Sequence, residues 1–330
     1  MKKQKLFAMV CVAVLAFSTV GCGDSDSPDK GKNEQAAESS SGQTEEKADG
    51  EITIAWSCAD LSNQFQVTLT DSIKEAVSDL GAKYLEGDGA NDASKQVSQV
   101  ENFITQGADL IMISPADSDA CAPAVTAANE AGIPIMIVNC KIANQENATC
   151  YVGSDDTQAG EMEMEYIAEQ IGGKGNIVVL QGLDGRDATV KRTEGINSVL
   201  ENYPDIKILA MQPADWSVEL GMSTVENWLQ TMEFDAVVSQ NDEMALGAVQ
   251  ALKANGKENI LVIGVDGIED GLKAVKTGDM IATVLQDAPS IAKKAGEVAE
   301  KILAGETVEP EYIVPFQVID KNNIDEYYTE

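Results

Sequence analysis

Histidine is absent from this chain of 330 residues. Its absence excludes Ser-His-Asp and Cys-His catalytic triads, and it excludes every metal site built on imidazole. Basic residues are scarce as well, because 23 Lys and Arg stand against 55 Asp and Glu, for a formal net charge of -32. A surface this anionic repels nucleic acid and anionic lipid headgroups, and we expect neither as a partner.

Two sequence signatures are also missing, one for a zinc site and one for a phosphate-binding loop. None of the six cysteines is spaced as CxxC, so a zinc site is not expected. The glycine-rich stretch GGKGN at 172–176 lacks the GxxxxGK(S/T) spacing of a phosphate-binding loop and precedes a predicted strand. The sequence therefore predicts no metal and no cofactor. The hydrophobic fraction of 44% is nevertheless ample for a globular core.

The first 22 residues have the pattern of an export signal. Three lysines within the first five residues precede an apolar run over 6–20, which is too short for a comfortable membrane span. The segment ends in Thr-Val-Gly-Cys, which resembles a bacterial lipobox with threonine in place of the usual leucine. We predict a lipoprotein signal peptide over 1–22 with Cys22 as the lipid anchor. An ordinary signal peptide cleaved nearby is the alternative.

Residues 23–50 are rich in Ser, Gly, Asp and Glu and contain no aromatic residue. Such a segment buries too little apolar surface to offset its ordering entropy, so we predict a disordered acidic tether. An anchored cysteine with this tether would hold the domain at the outer face of the cell membrane or in the periplasm, where disulfides are permitted. Cys140 and Cys150 bracket a short loop and form the predicted pair, whereas Cys121 is expected to be a buried small side chain.

From residue 51 onward, short β-branched runs alternate with amphipathic stretches of helical period. Strand candidates include EITIAWS, DLIMIS, IPIMIVN and ILVIGVD, and helix candidates include FQVTLTDSIKEAVSDLG and EMALGAVQALKANG. This alternation predicts an α/β fold with doubly wound parallel sheets.

Most predicted strands end in or next to a polar residue. These residues are Ser57, Ser114, Asn139, Gln181, Asn241 with Asp242, Asp266 and Gln286. Ligands of open α/β sheets bind at the carboxyl ends of the strands, so these side chains are expected to face a common site. Neutral amides and hydroxyls suit a ligand rich in hydroxyl groups, each of which both donates and accepts. The alternative is that polar residues mark strand ends before turns.

Four motifs, in order and in spacing, carry a resemblance to a known family. They are QPADW at 212–216, SQNDEMALGAVQAL at 239–252, VIGVDG at 262–267 and IATVLQ at 281–286. Over about 51–318 the chain resembles the type I periplasmic sugar-binding proteins, the group that contains the ribose- and galactose-binding proteins. The resemblance implies two similar Rossmann-like lobes joined by three hinge crossovers, with the ligand between them and closure about the hinge.

The resemblance also implies lobe boundaries. The first lobe would comprise 51–154 plus 287–313, and the second would comprise 155–286 plus 314–330. The crossovers would lie near Ser154, Gln286 and Val314.

The contact residues that the resemblance implies are Asn63, Phe65, Asn139, Arg192, Trp216, Asn241, Asp266 and Gln286, to which the strand-end pattern adds Ser57 and Ser114. Phe65 and Trp216 would cover the apolar faces of a sugar ring, and Arg192 would offer a fixed fork of donors. The alternatives are that the two aromatics are core residues and that Arg192 pairs with a nearby glutamate.

Departures from the family pattern affect the choice of ligand. Ribose binders have Asp-Arg where Asn139-Cys140 stand, and galactose binders have His and Asp where Arg186 and Ala188 stand. Asn139 matches the galactose pattern, and Trp216 offers a larger stacking face than the phenylalanine of ribose binders. We therefore expect a hexopyranose or an inositol to bind better than ribose.

The resemblance implies a solute-binding protein, not an enzyme, that captures a monosaccharide or cyclitol and delivers it to the permease subunits of an ABC importer. We expect a monomer attached to the membrane only through its lipid anchor. The alternatives are a sensing partner of a membrane receptor, a LacI-type regulator core, and a glycosidase that uses aspartates such as Asp155 and Asp156. The regulator would need an N-terminal helix-turn-helix, where the sequence has a signal-like segment.

Overall fold

The computed structural model describes residues 50–329. The predicted signal peptide over 1–22, the lipid anchor Cys22 and all but the last residue of the predicted tether over 23–50 lie outside the described residues. None of the helices between residues 50 and 329 combines the length and the apolar character that crossing a membrane requires.

The first of two six-stranded sheets is entirely parallel. Its strands are β1 (Thr53–Cys58), β2 (Lys83–Asp88), β3 (Leu110–Ile113), β4 (Ile135–Asn139), β5 (Cys150–Gly153) and β11 (Glu311–Ile313). They lie in the order β11-β5-β4-β3-β1-β2. The helices of this first lobe are α1 (Gln64–Asp79), α2 (Ala93–Thr105), α3 (Ala122–Glu130) and α9 (Ala288–Leu303).

The second sheet repeats this plan with one antiparallel edge. Its strands are β6 (Lys174–Gln181), β7 (Asp205–Pro213), β8 (Ala236–Ser239), β9 (Leu261–Asp266), β10 (Ala282–Leu285) and β12 (Gln317–Asp320). Their order is β12-β10-β9-β8-β6-β7, and only β12 runs antiparallel to its neighbour. The helices of this second lobe are α4 (Asp156–Gln170), α5 (Asp187–Leu200), α6 (Val218–Leu229), α7 (Asp242–Ala254) and α8 (Glu269–Thr277).

The chain passes between the two sheets three times. The connections join β5 to α4, β10 to α9 and β11 to β12. Ser154, Gln286 and Val314 lie in these three connections. The sequence prediction of an α/β fold with two similar Rossmann-like lobes is confirmed.

Both faces of each sheet are buried under helices, which explains the continuous apolar runs of the strands. In β1, Ile54 and Trp56 join the core with α1 and α9, whereas Ala55, between them, joins the core with α2 and α3. The second lobe has two matching cores, one on each face of its sheet.

Polar residues begin most of these helices, and two of them matter for the site. The Asn63 Oδ1 accepts from the Gln66 N–H at the start of α1, and the Asn241 Oδ1 accepts from the Met244 N–H at the start of α7. Each cap satisfies a backbone donor that a helix start leaves free.

The predicted Cys140–Cys150 disulfide does not form, and both thiols are free and buried. The strand register gives the reason. Cys150 pairs with Met136 across β4 and β5, whereas Cys140 directly follows β4, four residues further along the strand direction. At about 3.3 Å per residue this offset is roughly 13 Å, well beyond the reach of about 7 Å between bridged Cα atoms. Cys121 is buried, as the sequence predicts.

Candidate ligand-binding site

A cavity lies where the carboxyl ends of the two sheets meet. Side chains from both lobes line it: Asn63, Phe65, Gln66, Asn139, Cys140, Arg186, Ala188, Arg192, Trp216, Asn241, Asp266 and Gln286.

The structure brings eight of the ten sequence-predicted contact residues to this cavity. Ser57 and Ser114 are the two that it does not bring there. The Ser57 Oγ donates to the Gln99 Oε1 at 2.8 Å and accepts from the Gln96 Nε2 at 3.2 Å, and the Gln96 amide also reaches the Ser114 carbonyl at 2.9 Å. These two strand ends therefore hold α2 against the sheet.

Four cavity residues were not predicted from the sequence, namely Gln66, Cys140, Arg186 and Ala188. One signal could have found two of them. Arg186 and Ala188 stand at positions where galactose binders have His and Asp, and that correspondence marks both as candidates for the wall of the site.

Arg192 is the centre of the second lobe's wall. Its guanidinium donates from Nε to the Asp156 Oδ1 at 2.9 Å and from Nη2 to the Gln286 Oε1 at 3.3 Å. A further bond reaches the Gln240 carbonyl, and the Asp266 Oδ1 lies 3.6 Å from Nη1. Helices α4 and α5 pack closely enough to bring Asp156 and Arg192 together. Gly160 of α4 allows this approach, because a Cβ at that position would collide with the Arg192 backbone.

The charges of this wall compensate one another. Burial by itself would lower the pKa of the Arg192 guanidinium, but the Asp156 and Asp266 carboxylates outweigh burial and the pKa rises. Burial raises the pKa of Asp156 and of Asp266, and in both cases Arg192 opposes the rise. Arg192 is 3% exposed, so this network is made by protein groups and is shielded from water.

Asp242 supports this wall from behind without lining the cavity. Its carboxylate accepts from the Thr283 Oγ1 at 2.7 Å, the Gly267 N–H at 2.8 Å and the Ile268 N–H at 3.0 Å. Burial raises the pKa of Asp242 to about 7 against the effect of these bonds. The two backbone bonds fix the turn that directly follows Asp266.

Backbone strain is concentrated at the cavity. Three of its residues have positive φ without being glycine: Asn139 at 72°, Trp216 at 64° and Asp266 at 117°. Such conformations cost of order 1–3 kcal/mol each and persist where the surrounding structure enforces them, which is typical of functional sites. They aim strand-end side chains in directions that an ordinary strand would not allow.

One aromatic side chain comes from each lobe. Phe65 enters from the start of α1, and Trp216 enters from the loop before α6. The Trp216 ring lies against Gly182, where any Cβ would overlap it, and 5.8 Å from the Arg192 guanidinium. These rings give the cavity apolar surface between its polar groups.

Within residues 50–329, three buried polar atoms of cavity residues have no hydrogen-bond partner. They are the acceptor Asn139 Oδ1 and the donors Trp216 Nε1 and Gln286 Nε2. Leaving such a group unpaired costs about 1–3 kcal/mol. Both kinds of group are present, so a molecule that both accepts and donates hydrogen bonds would satisfy them.

The lobes touch across the cleft, and Glu243 is the main contact. Its carboxylate, at the start of α7, accepts from the Asn63 Nδ2 and from the Gln64 N–H at 3.2 Å, both in the first lobe. It also accepts from the Asn241 Nδ2 at 3.3 Å. A second bridge runs from the Ser118 N–H to the Gly185 carbonyl at 2.9 Å.

Comparison with known proteins identifies the family. The family model described as periplasmic binding protein domain matches residues 54–307. The chain belongs to this family, and within it to the type I sugar-binding proteins.

Individual relatives carry ligand names. The chain is 43% identical over 239 residues to the xylitol-binding protein of Mycolicibacterium smegmatis, covering 71% of this chain and 68% of that one. It is 37% identical over 269 residues to the ribose import binding protein of Bacillus subtilis, covering 81% and 87%. A solute-binding protein of an ABC transporter from Bacillus halodurans with bound myo-inositol superposes with a TM-score of 0.81 at 35% identity, covering 84% and 97%.

Proposed function

We propose that this protein is an extracytoplasmic solute-binding protein that captures one small neutral sugar or polyol and delivers it to an ABC importer. The observation that carries the proposal is the set of unpaired atoms at Asn139, Trp216 and Gln286 in a cavity between two lobes. Hydroxyl groups satisfy both donors and acceptors. The relatives named for xylitol and ribose support the same class of ligand.

The charged groups of the site support binding rather than catalysis. The Asp156 carboxylate is tied to Arg192, and Asp155 caps α4 by accepting from the Thr157 N–H at 3.0 Å. Neither is placed as one of a free carboxylate pair, which glycoside hydrolysis needs.

Anchoring by Cys22 and a tether over 23–50 belongs to the same proposal. A tethered domain would load ligand near the importer and remain at the membrane. The sequence pattern of the first 50 residues supports this part. We also propose that the protein is a monomer.

Within the class, we propose that a hexopyranose or an inositol binds better than ribose. The indole of Trp216 offers a larger face than a phenyl ring, and the Bacillus halodurans relative has bound myo-inositol. A competition titration among D-ribose, D-galactose, D-glucose and myo-inositol tests this. If ribose bound at least tenfold more tightly than the other three ligands, a difference of about 1.4 kcal/mol, the proposed order of affinities would be reversed.

The test of the main proposal is a thermal-shift screen of residues 23–330 against sugars, polyols, amino acids and short peptides, followed by calorimetric titration. A ligand that binds only the folded state raises the melting temperature by mass action. We expect one neutral polyol per monomer, with a change in tryptophan emission that Trp216→Phe largely removes. Binding of an amino acid or peptide, with no polyol binding, would refute the proposal.

A further inference from the structure

Arg186 is a buried cation at the cavity wall. It directly precedes α5, it is 5% exposed, and it lines the cavity together with Cys140 and Ala188. Its guanidinium donates from Nη1 to the Asn91 Oδ1 at 3.5 Å, which is the long limit for such a bond. Among residues 50–329 Arg186 has no salt bridge, whereas Arg192 is held by Asp156 and Asp266.

Asn91 cannot improve this single bond. Its Nδ2 donates to the Asp60 Oδ2 at 2.5 Å, which fixes the direction of its amide. Its backbone is constrained as well, with a φ of 57°. Arg186 has five N–H donors, and the bond to Asn91 uses one of them. The other nitrogens of Arg186 are not among the sealed, unpartnered atoms of residues 50–329, so they face the open cavity, where a bound molecule can accept from them.

The first-lobe side of the cavity indicates which kind of ligand group would accept hydrogen bonds from Arg186. Asn139 in the first lobe has an unpaired Oδ1, and its Nδ2 lies 3.5 Å from the Cys140 Sγ. Arg186 and Cys140 line the same cavity, and the positive charge of Arg186 opposes the rise to about 11 that burial causes in the pKa of the Cys140 thiol. A carboxylate would accept from Arg186 but could not donate to the Asn139 Oδ1. A hydroxyl does both.

We propose that Arg186 and Asn139, one from each lobe, bind two adjacent hydroxyl groups of a neutral ligand, and that Arg186 selects for this diol. The inference rests on the proposed polyol-binding function and names the part of the ligand that the site recognises. Without a ligand the free donors of Arg186 face the cavity, where water can solvate them, so losing the guanidinium should cost the ligand-free protein little stability.

The test is calorimetric titration of the wild type, Arg186→Met and Arg186→Lys with D-ribose, D-glucose, xylitol and myo-inositol. The tightest binder is then compared with each of its monodeoxy analogues, and D-glucuronate serves as the carboxylate probe. Arg192→Met is the matched control, since it removes an arginine that already has partners. Melting temperatures of all ligand-free variants are measured in parallel.

We expect Arg186→Met to weaken the tightest binder about tenfold to 100-fold, the loss of charged hydrogen bonds. The same change should cost less than about threefold for the analogue that lacks the bound hydroxyl. Arg186→Lys keeps the positive charge but lacks the planar guanidinium, so its affinity for the tightest binder should lie between that of the wild type and that of Arg186→Met. The melting temperature of Arg186→Met should stay level or rise, whereas that of Arg192→Met should fall.

Undiminished binding by Arg186→Met, or a clear drop in its melting temperature, would overturn the inference and leave the proposed function standing. Tighter binding of D-glucuronate than of D-glucose, dependent on Arg186, would replace the diol by a carboxylate. A wild type that binds no member of the panel would overturn the proposed function and this inference with it.

Discussion

The two lobes share one architecture but differ in what they bury. All six charged side chains that are buried in the described chain belong to the second lobe: Asp156, Glu163, Arg186, Arg192, Asp242 and Asp266. The first lobe contributes only neutral side chains to the cavity: Asn63, Phe65, Gln66, Asn139 and Cys140. Two similar folds thus carry two different kinds of wall.

This difference indicates a division of labour. The second lobe holds Arg192, Asp156 and Asp266 in a network made of protein groups, so it can fix the ligand's orientation at little further cost. The first lobe covers the ligand with neutral groups, and closing it does not require the desolvation of a second set of charges. Substitutions in the Arg192 network should therefore affect stability and binding together, and those in the first lobe's wall should affect mainly binding.

The largest expected effect comes from Arg192→Met. Removing the guanidinium leaves Asp156 and Asp266 buried without their counter-ion. Breaking a buried pair in this way typically costs about 3–5 kcal/mol. Urea unfolding should show a lower midpoint with an unchanged m-value, and ligand binding should weaken as well.

The double variant Asp156→Asn with Arg192→Met is the control, because it removes both charges of the closest pair. It should recover part of the lost free energy of unfolding. An unfolding midpoint equal to that of the wild type in the single variant would contradict the idea of an obligatory network.

Asn139→Gly is the corresponding change in the first lobe. Glycine adopts the φ of 72° at this position without strain, so the substitution removes the amide and keeps the backbone. We expect ligand affinity to fall by about 1–3 kcal/mol, because the ligand loses its partner at Oδ1. The free energy of unfolding should change much less than in Arg192→Met, and a comparable loss of stability would remove the contrast between the lobes.

The sequence predicted the fold because buried parallel strands leave a strong pattern. Runs such as DLIMIS and IPIMIVN are apolar on both faces, and the structure covers both faces with helices. The disulfide prediction was wrong for a reason that the sequence does not contain. Which residue of β5 lies opposite Met136 is set by the packing of the whole sheet.

The site was predictable only in part. Polar strand ends and family motifs led to residues that line the cavity, such as Asn139 and Asp266, but the same pattern included Ser57 and Ser114. A polar residue at a strand end does not reveal whether it faces the cleft or a glutamine of the next helix. Arg186 was missed as a contact although it stands where galactose binders have histidine. That no carboxylate among residues 50–329 pairs with it is visible only in three dimensions.

A smaller effect is expected from Glu163→Gln in the second lobe. Glu163 is fully buried in α4, neither carboxylate oxygen has a hydrogen-bond partner, and burial raises its pKa well above the ordinary value of 4.5. The folded protein therefore binds the proton more tightly than the unfolded chain. Its contribution to stability is present at low pH and is lost as the pH rises above about 4.5.

Glutamine stays neutral at every pH, so the variant should match the wild type near pH 4 and be more stable near pH 8. Thermal unfolding across this range measures the difference. Glu165→Gln, an exposed position on the same helix, is the control and should shift neither curve. Parallel curves for Glu163→Gln and the wild type would mean that Glu163 is not protonated in the folded state.

The smallest expected effect tests the contact between the lobes themselves. In Glu243→Gln the new amide can still accept from the Gln64 N–H, but its nitrogen faces the Asn63 Nδ2, which is also a donor. Asn63 cannot simply turn its amide round, because its Oδ1 caps α1 by accepting from the Gln66 N–H at 3.0 Å. The closed form should lose about 0.5–1.5 kcal/mol of stability, and the loss should show chiefly as faster ligand dissociation, which stopped-flow tryptophan fluorescence measures.

Glu219→Gln is the control, because it makes the same change of charge at the start of α6, where the side chain contacts Ser217 of its own lobe. Ligand dissociation from this variant should stay at the wild-type rate. If both variants released ligand equally fast, the effect would come from net charge, and the bond between Asn63 and Glu243 would not be what keeps the neutral wall closed over the charged one.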